Sequence, residues 1–247
     1  MQSYLSTISV PYELIIVDNN SSDGSKEYIQ NICKNNSNHH AILLTEHLGG
    51  GESINLGLEQ AKFPYLHISE NDYEYLPGWD KELLSKFDTF EKLGQLSILG
   101  ADSEMPPVEI RGKFPSTPVT KNSKTILLTD VNVVTTSIIR REIWDKGLRW
   151  ISINEPNTPF QFPNDHHFST MVRQMGYWVA WNDKYVVINH GHNVAEWQQH
   201  PDYYLENYRS KPWLRENGWI KRLNENGYDL LNENGIYKII KKDNIET

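Results

Sequence analysis

Three short apolar runs, each closing in a polar cluster and separated by helical patterns, constrain this chain more than any other feature. Residues 13–17 (ELIIV) end in Asp18-Asn19-Asn20-Ser21-Ser22-Asp23-Gly24, a dense set of turn formers. A short run rich in β-branched residues, without polar alternation, reads as a strand buried on both faces. Residues 25–33 then carry helical spacing, with Ser22 or Asp23 near the N-cap. Residues 41–45 (AILLT) form the second run. Gly49-Gly50-Gly51 follows, and Ile54, Leu58 and Ala61 then share one helical face. Residues 65–69 (YLHIS) form the third run and stop at Glu70-Asn71-Asp72. Strand, polar loop and helix recurring in this order predict an α/β fold, with a parallel sheet and crossover helices.

That topology places ligands beyond the carboxyl ends of the strands. Asp18 and the Glu70/Asp72 pair both stand at such ends, so two acidic loops share one rim. The remainder is less regular. A helix is expected over 80–93 after Pro77-Gly78, a proline-rich loop over 106–118, and strand character over 126–139 around Val131, Val133 and Val134. A short helix follows at 140–146 and a loop at 150–163. A helix at 165–175 is closed by Gly176, and a strand at 185–188 runs into Asn189-His190-Gly191-His192. From Glu196 the tail mixes Trp and Tyr with Lys and Arg, and His39 and His40 read as exposed loop residues.

Size and charge narrow the function. At 247 residues and 38% hydrophobic, the chain has room for one large α/β domain, or a domain with an appendage. A net charge of -8 tells against a nucleic-acid binder, which needs a basic stripe to neutralise phosphates. The acidity also tells weakly against anionic lipid, though peripheral membrane contact stays open. One cysteine, Cys33, allows neither an internal disulfide nor a cysteine-based zinc site. No apolar run reaches the roughly 18 residues that span a bilayer, and the N-terminus has no signal-peptide pattern. The expectation is therefore a cytoplasmic chain without a transmembrane segment. Eight Trp and 13 Tyr suit a carbohydrate-handling surface, where flat apolar faces and polar tips both serve.

The motifs now acquire a family. The run from Val17 through Asp18, Asn19, Ser21 and Asp23-Gly24 to Ser25 resembles the VDNxSxDGS segment of family 2 glycosyltransferases of GT-A fold, especially the rhamnosyltransferase-like branch. Leu48 to Leu58, with its three glycines and Asn55, is similar to the Gly-rich segment that the family places next. Glu70-Asn71-Asp72 with Leu76-Pro77-Gly78-Trp79 resembles its DxD motif and PGW follow-on. Asn164-Asp165 stands where the family has an ED or DD pair, and His190 where it has a late histidine. The matches come in family order between residues 13 and 192.

The resemblance implies a GT-A fold: a mostly parallel sheet flanked by helices, with a Rossmann-like nucleotide-binding half. Residues 1–195 would form the domain, with a donor half to about residue 100 and an acceptor half from about 101 to 195. Residues 196–247 would add an aromatic and basic helical extension. It implies an inverting transfer of a sugar from a nucleotide-diphosphate sugar to a glycan or other hydroxyl acceptor, assisted by a divalent cation, Mn2+ or Mg2+. Asp165 is the expected general base, since the attacking hydroxyl must lose its proton to a carboxylate in reach. Donor contacts fall to Asp18, Asn19, Ser21, Gly50, Asn55, Glu70 and Asn71. Acceptor contacts fall to Trp150, Asn164 and His166, with Phe160 and Trp197 as further aromatic candidates. Metal contacts fall to Asp72 and His190, with Glu70 and His192 as further candidates.

Two departures bear on activity. Glu70 replaces the usual first Asp of the DxD pair, and Asn164 the usual acidic neighbour of the base. Family members also begin with a strand and turn of the type VSIIIPxYN, whereas residues 1–11 resemble only the end of the following helix. Truncation and genuine loss both fit. Loss would leave a gap or open strand edge beside residues 13–17, which bears on activity more than on fold. A second reading is therefore a catalytically inactive nucleotide- or glycan-binding module on the same fold. A third, a sugar-phosphate nucleotidyltransferase, lacks the Gly-rich loop with catalytic Lys or Arg that it needs after its first strand.

Overall fold

The strand–loop–helix rhythm of the first 69 residues is realised in the three-dimensional structure, a computed structural model that describes residues 1–98, 100–102, 115–154, 161–191, 194–209 and 215–242. Helix α1 (Gln2–Thr7) leads to β1 (Leu14–Asp18), α2 (Ser25–Cys33), β2 (His39–Leu43), α3 (Gly50–Gln60) and β3 (Tyr65–Ile68). Next come β4 (Tyr73–Tyr75), α4 (Trp79–Thr89), β5 (Leu93–Ser97) and β6 (Gly100–Asp102). The second half runs β7 (Thr117–Lys121), β8 (Lys124–Leu128), β9 (Ser137–Arg140), α5 (Arg141–Asp145), β10 (Ser152–Asn154) and β11 (Gln161–Pro163). It continues through α6 (Asp165–Gln174), β12 (Trp178–Asn182) and β13 (Val187–Asn189). The tail comprises α7 (Val194–Gln199), α8 (Pro201–Arg209), α9 (Arg215–Glu225) and the hairpin of β14 (Tyr228–Glu233) with β15 (Ile236–Lys241).

The central sheet has the order β3-β9-β5-β12-β8-β7 and is mixed rather than mostly parallel. Of its pairings only β5–β12 is parallel; β9 inserts between β3 and β5, antiparallel to both. The reason is topological. The chain reaches β9 from a loop, not from a crossover helix, so nothing obliges it to run parallel. Parallel pairing also joins β1 to β2 and β6 to β13.

Other corrections are local. The helix expected over 80–93 stops at Thr89, where Phe90 turns extended at φ -113°, and the chain re-enters the sheet as β5. Val131, Val133 and Val134 lie between strands rather than within one, although Val133 is fully buried. His39 is buried inside β2, bonded to Tyr12 and Asn36, rather than exposed in a loop. The tail is not helical alone, because the β14–β15 hairpin closes it.

Apolar clusters cover both faces of the sheet. Leu66, Ile139, Val179 and Trp181 pack with Phe168 and Val172 of α6 on one side. Leu93, Leu96, Ile138 and Ala180 pack with Leu83 and Phe87 of α4 on the other. Each such fully buried Leu, Ile, Val or Phe side chain contributes roughly 1.5–3 kcal/mol. A separate cluster of Trp197, Leu205, Trp219, Leu223 and Ile239 gives the tail its own small core. Lys86 of α4 is buried but compensated, 2.5 Å from Asp183 and 3.2 Å from Glu82. No helix among the described residues is long and apolar enough to cross a membrane.

Among the described residues β1 pairs with β2 alone. A cavity of about 1090 Å³ lies between β1 and β3, lined by every residue from 10 to 19 and from 63 to 71. Successive side chains of a strand point to opposite faces. Two strands that present all their residues to one space therefore present their edges to it. Tyr4 of α1 closes one end, its ring 6.3 Å from that of Tyr12 and 6.0 Å from that of His67.

Candidate functional site

The polar rim of this cavity is built where three strands end. Asp18 closes β1 and is 4% exposed; its carboxylate accepts the Ser21 amide at 2.9 Å and so folds the loop back on itself. Asn19 accepts the Leu48 amide at 2.9 Å and donates to the Gly49 carbonyl at 3.2 Å, tying this loop to the Gly-rich segment. Ser21 and Gly50 line the cavity beside them. The glycines have a further cause. A side chain on Gly51 would stand 2.6 Å from the Ile151 backbone, and one on Gly50 2.7 Å from Pro163. Their bareness thus admits the β10–β11 chain, and the Gly51 amide donates to Ser152 Oγ at 2.9 Å.

Glu70 and Asn71 stand exposed at the end of β3, on the same cavity. Thr136 donates to Glu70 Oε2 at 3.0 Å, and the preceding residue, Thr135, donates to Asp165 Oδ1 at 2.7 Å. Asp165 opens α6, where Asn164 is the N-cap and accepts the His167 amide at 2.9 Å. The structure thus brings Glu70 and Asp165, 95 positions apart in sequence, to one pair of hydroxyls. Burial pushes the Asp165 carboxyl up to about 7, and the charge of Glu70 adds to the rise, against the Thr135 hydrogen bond.

Asp72 is partly buried beside the 189–191 turn. Its backbone carbonyl accepts the His190 amide at 2.8 Å, and a side chain on Gly191 would fall 2.1 Å from its carboxylate, which would have to shift to admit it. The His190 ring, expected at a cation, hydrogen-bonds Glu74 at 2.8 Å. His192 and Phe160 lie outside the described residues. Among the described residues no three His, Cys, Asp or Glu side chains converge as a metal cage. Cations that act on phosphates are commonly held by one or two carboxylates plus the phosphates themselves, and Asp72 fits that smaller donor set.

Three predicted residues serve the scaffold instead. Asn55 uses both ends of its amide on the Trp150 backbone, at 2.8 and 2.9 Å. Trp150 is 1% exposed and stacks on Phe168 with ring centroids 4.0 Å apart, so it offers no face to a saccharide. Trp197 lies in the tail core and donates to the Gly191 carbonyl at 3.3 Å. His166 is exposed one residue beyond Asp165.

The sequence reading omits Thr135 and Thr136, which precede a strand and carry no motif.

The family model for glycosyl transferase family 2 matches residues 2–148. A comparison with curated proteins found no match. Among solved structures, the mannosyltransferase PcManGT from Pyrobaculum calidifontis, in complex with GDP-Man and Mn2+, is similar at TM-score 0.54 and 11% identity, over 87% of this chain and 54% of that one. Fragment 1–349 of TarS from S. aureus is similar at TM-score 0.54 and 16% identity, over 91% of this chain and 64% of that one. The same fragment in complex with UDP-GlcNAc gives TM-score 0.51 and 14% identity, over 91% and 65%. This chain therefore spans 54% to 65% of the length of these structures. At such identities the likeness speaks to the fold, which is of GT-A type. The family model covers more than half of the sequence, and the chain belongs to glycosyl transferase family 2.

Proposed function

We propose that this chain transfers a sugar from a nucleotide-diphosphate sugar to a hydroxyl acceptor such as a glycan, with inversion at the anomeric carbon. The observation that carries this is Asp165, a carboxyl beside the cavity rim that the Thr135 hydroxyl orients at 2.7 Å and that burial pushes up to about 7. A general base works best when its pKa lies near the working pH. Asp165 takes the acceptor proton as the hydroxyl attacks, and Asn164 and His166 flank the acceptor.

On the donor side, Asp18, Asn19 and Ser21 meet the nucleoside, and Gly50, Glu70 and Asn71 line the path of the diphosphate and sugar. Asn55 supports that side from behind, through Trp150. Asp72 holds a divalent cation together with the donor phosphates; Glu70 is a further candidate ligand, and His190 joins only by releasing Glu74. When bound, that cation neutralises the charge left on the departing diphosphate. Structural neighbours in complex with GDP-Man and Mn2+, and with UDP-GlcNAc, support this reading.

The test is a thermal-shift panel of UDP-, GDP- and dTDP-sugars with and without manganese, followed by a transfer assay with the donor found. A donor at a hundredfold its Kd adds about 2.7 kcal/mol to the folded state. If no donor raises the melting temperature under either condition, the reading fails. A donor that binds but is never turned over identifies a binding module instead.

A further inference from the structure

We propose that Thr135 and Thr136 act as positioning residues, a two-hydroxyl clamp that sets the donor-side carboxylate Glu70 and the base Asp165 in register. The chain bends at Thr135 and Thr136, just before β9, and the two adjacent hydroxyls serve two partners: Thr135 donates to Asp165 at 2.7 Å and Thr136 to Glu70 at 3.0 Å. Both clamp residues are buried, at 6% and 0% exposed, so water competes poorly for the hydroxyls.

The clamp is itself held from beneath. The Thr136 carbonyl accepts the Ile98 amide at 3.1 Å and Ser97 Oγ at 2.9 Å. The Thr135 carbonyl accepts Ser137 Oγ at 3.0 Å. Ser137 Oγ in turn accepts Gln95 Nε2 at 3.3 Å, and Gln95 Oε1 accepts Ser169 Oγ at 3.1 Å. Ser169 lies one turn beyond Asp165 on the same face of α6. Gln95, Ser97, Ser137 and Ser169 are all fully buried. A buried polar chain costs more to build than valine or leucine in the same space. What it adds is a single defined geometry. Here that geometry keys the start of α6 to β5, β9 and the loop after β3.

The kinetic part of this assignment rests on the proposed transferase reading; the structural part does not. The variants are Thr135→Val and Thr136→Val, which keep shape and delete the hydroxyl, with Thr135→Ser and Thr136→Ser as rescues. We expect T135V to lower kcat by about tenfold, the scale of one charge-assisted hydrogen bond, with little change in donor KM. T136V should raise donor KM by a similar factor and leave kcat nearer wild type. Each serine variant should recover most of the loss. Amide hydrogen exchange gives a readout free of catalysis. T135V should speed exchange at His167 and Phe168, T136V at the acidic loop and His190, and neither in β5. Should a valine variant not fold, its alanine counterpart carries the same measurements. Unchanged exchange at both places, one kinetic signature for both variants, or absence of serine rescue overturns the clamp. If wild type transfers no sugar, the transferase reading falls, and exchange alone decides the clamp.

Discussion

Strands β1 and β5 both end at the candidate site, yet they are packed very differently. β5 (LGQLS) is buried at all five positions, including a glutamine and a serine. β1 (LIIVD) is the more apolar, yet four of its five residues remain partly exposed. β5 has hydrogen-bonded neighbours on both edges, whereas β1, among the described residues, has only β2. Burial of a strand is thus set by what flanks it more than by its own hydropathy. The site inherits the contrast. Glu70 and Asp165 are fixed to the six-stranded sheet through Thr136 and Thr135, while Asp18, Asn19 and Ser21 ride on the two-stranded β1–β2 unit. Under the proposed function the first group holds a general base, which must be placed to a fraction of an ångström, and the second a loop that admits and releases a nucleotide, which belongs at the low-stability end of the molecule.

The largest effect should come from the rigid side. Asp165→Asn keeps shape and removes basicity, so transfer should fall by about 10²-fold or more in steady-state kinetics. The loss should appear in kcat, with the donor KM barely moved. A variant that transfers at the wild-type rate leaves Asp165 with a helix-terminus role only. A donor KM that moves as much as kcat erases the division between the two halves.

Next in size is Asp72, which stands beside the 189–191 turn. Asp72→Ala should abolish the manganese-dependent part of nucleotide-diphosphate affinity in calorimetry, a loss of about tenfold or more for a site with so few protein ligands. Affinity that responds to manganese as in wild type would remove Asp72 from the cation.

A pH effect follows from Asp165, whose folded carboxyl sits near 7 because burial disfavours its charged form. Only the ionised form is a base, so kcat should rise with pH through about 7, and this limb should be absent from the residual activity of Asp165→Asn. Stability runs the other way. Between the ordinary carboxylate value near 3.9 and about 7, the native state holds the proton more tightly than the unfolded chain, so stability falls as pH rises across that window. Thermal unfolding at about pH 5 and about pH 8 should show a larger drop for wild type than for Asp165→Asn. Equal drops would mean that Asp165 ionises as an ordinary surface carboxylate.

How much of this was legible in the sequence depends on whether the cause is local. Helix α2 begins and ends where its turn formers and spacing place it, and β1 and β3 fall on their apolar runs, because these signals lie within a few residues. The acidic loops could be put on one rim because topology follows from the order of elements. β5 was lost because Gly94 and Gln95 interrupt its apolar pattern, and Gln95 is buried only because Ser137 and Ser169 arrive from elsewhere. Asn55 and Trp150 look like ligand contacts in the sequence, yet they pair with each other across 95 residues. Thr135 and Thr136 had no signal at all, because their partners come from other segments and no local rule marks a threonine for a distant carboxylate.

The smallest effect should come from Asn19, and it tests the β1–β2 half directly. Its side chain brackets the Leu48 amide and the Gly49 carbonyl, so Asn19→Ala deletes two hydrogen bonds between the loop after β1 and the Gly-rich segment. Such bonds are neutral and only partly buried, so each is worth about 0.5–1.5 kcal/mol at most, with the lower figure apt for a wet loop. The donor KM should therefore rise about three- to tenfold. Turnover should stay near wild type, because nothing on the Thr135–Asp165 side is touched. Hydrogen exchange at the amides of Ser21 and Leu48, which bind Asp18 and Asn19 respectively, should quicken, while β5 and β12 stay protected. A fall in kcat comparable to that of Asp165→Asn, with unchanged exchange at Leu48, would mean that the two halves of the site are mechanically one.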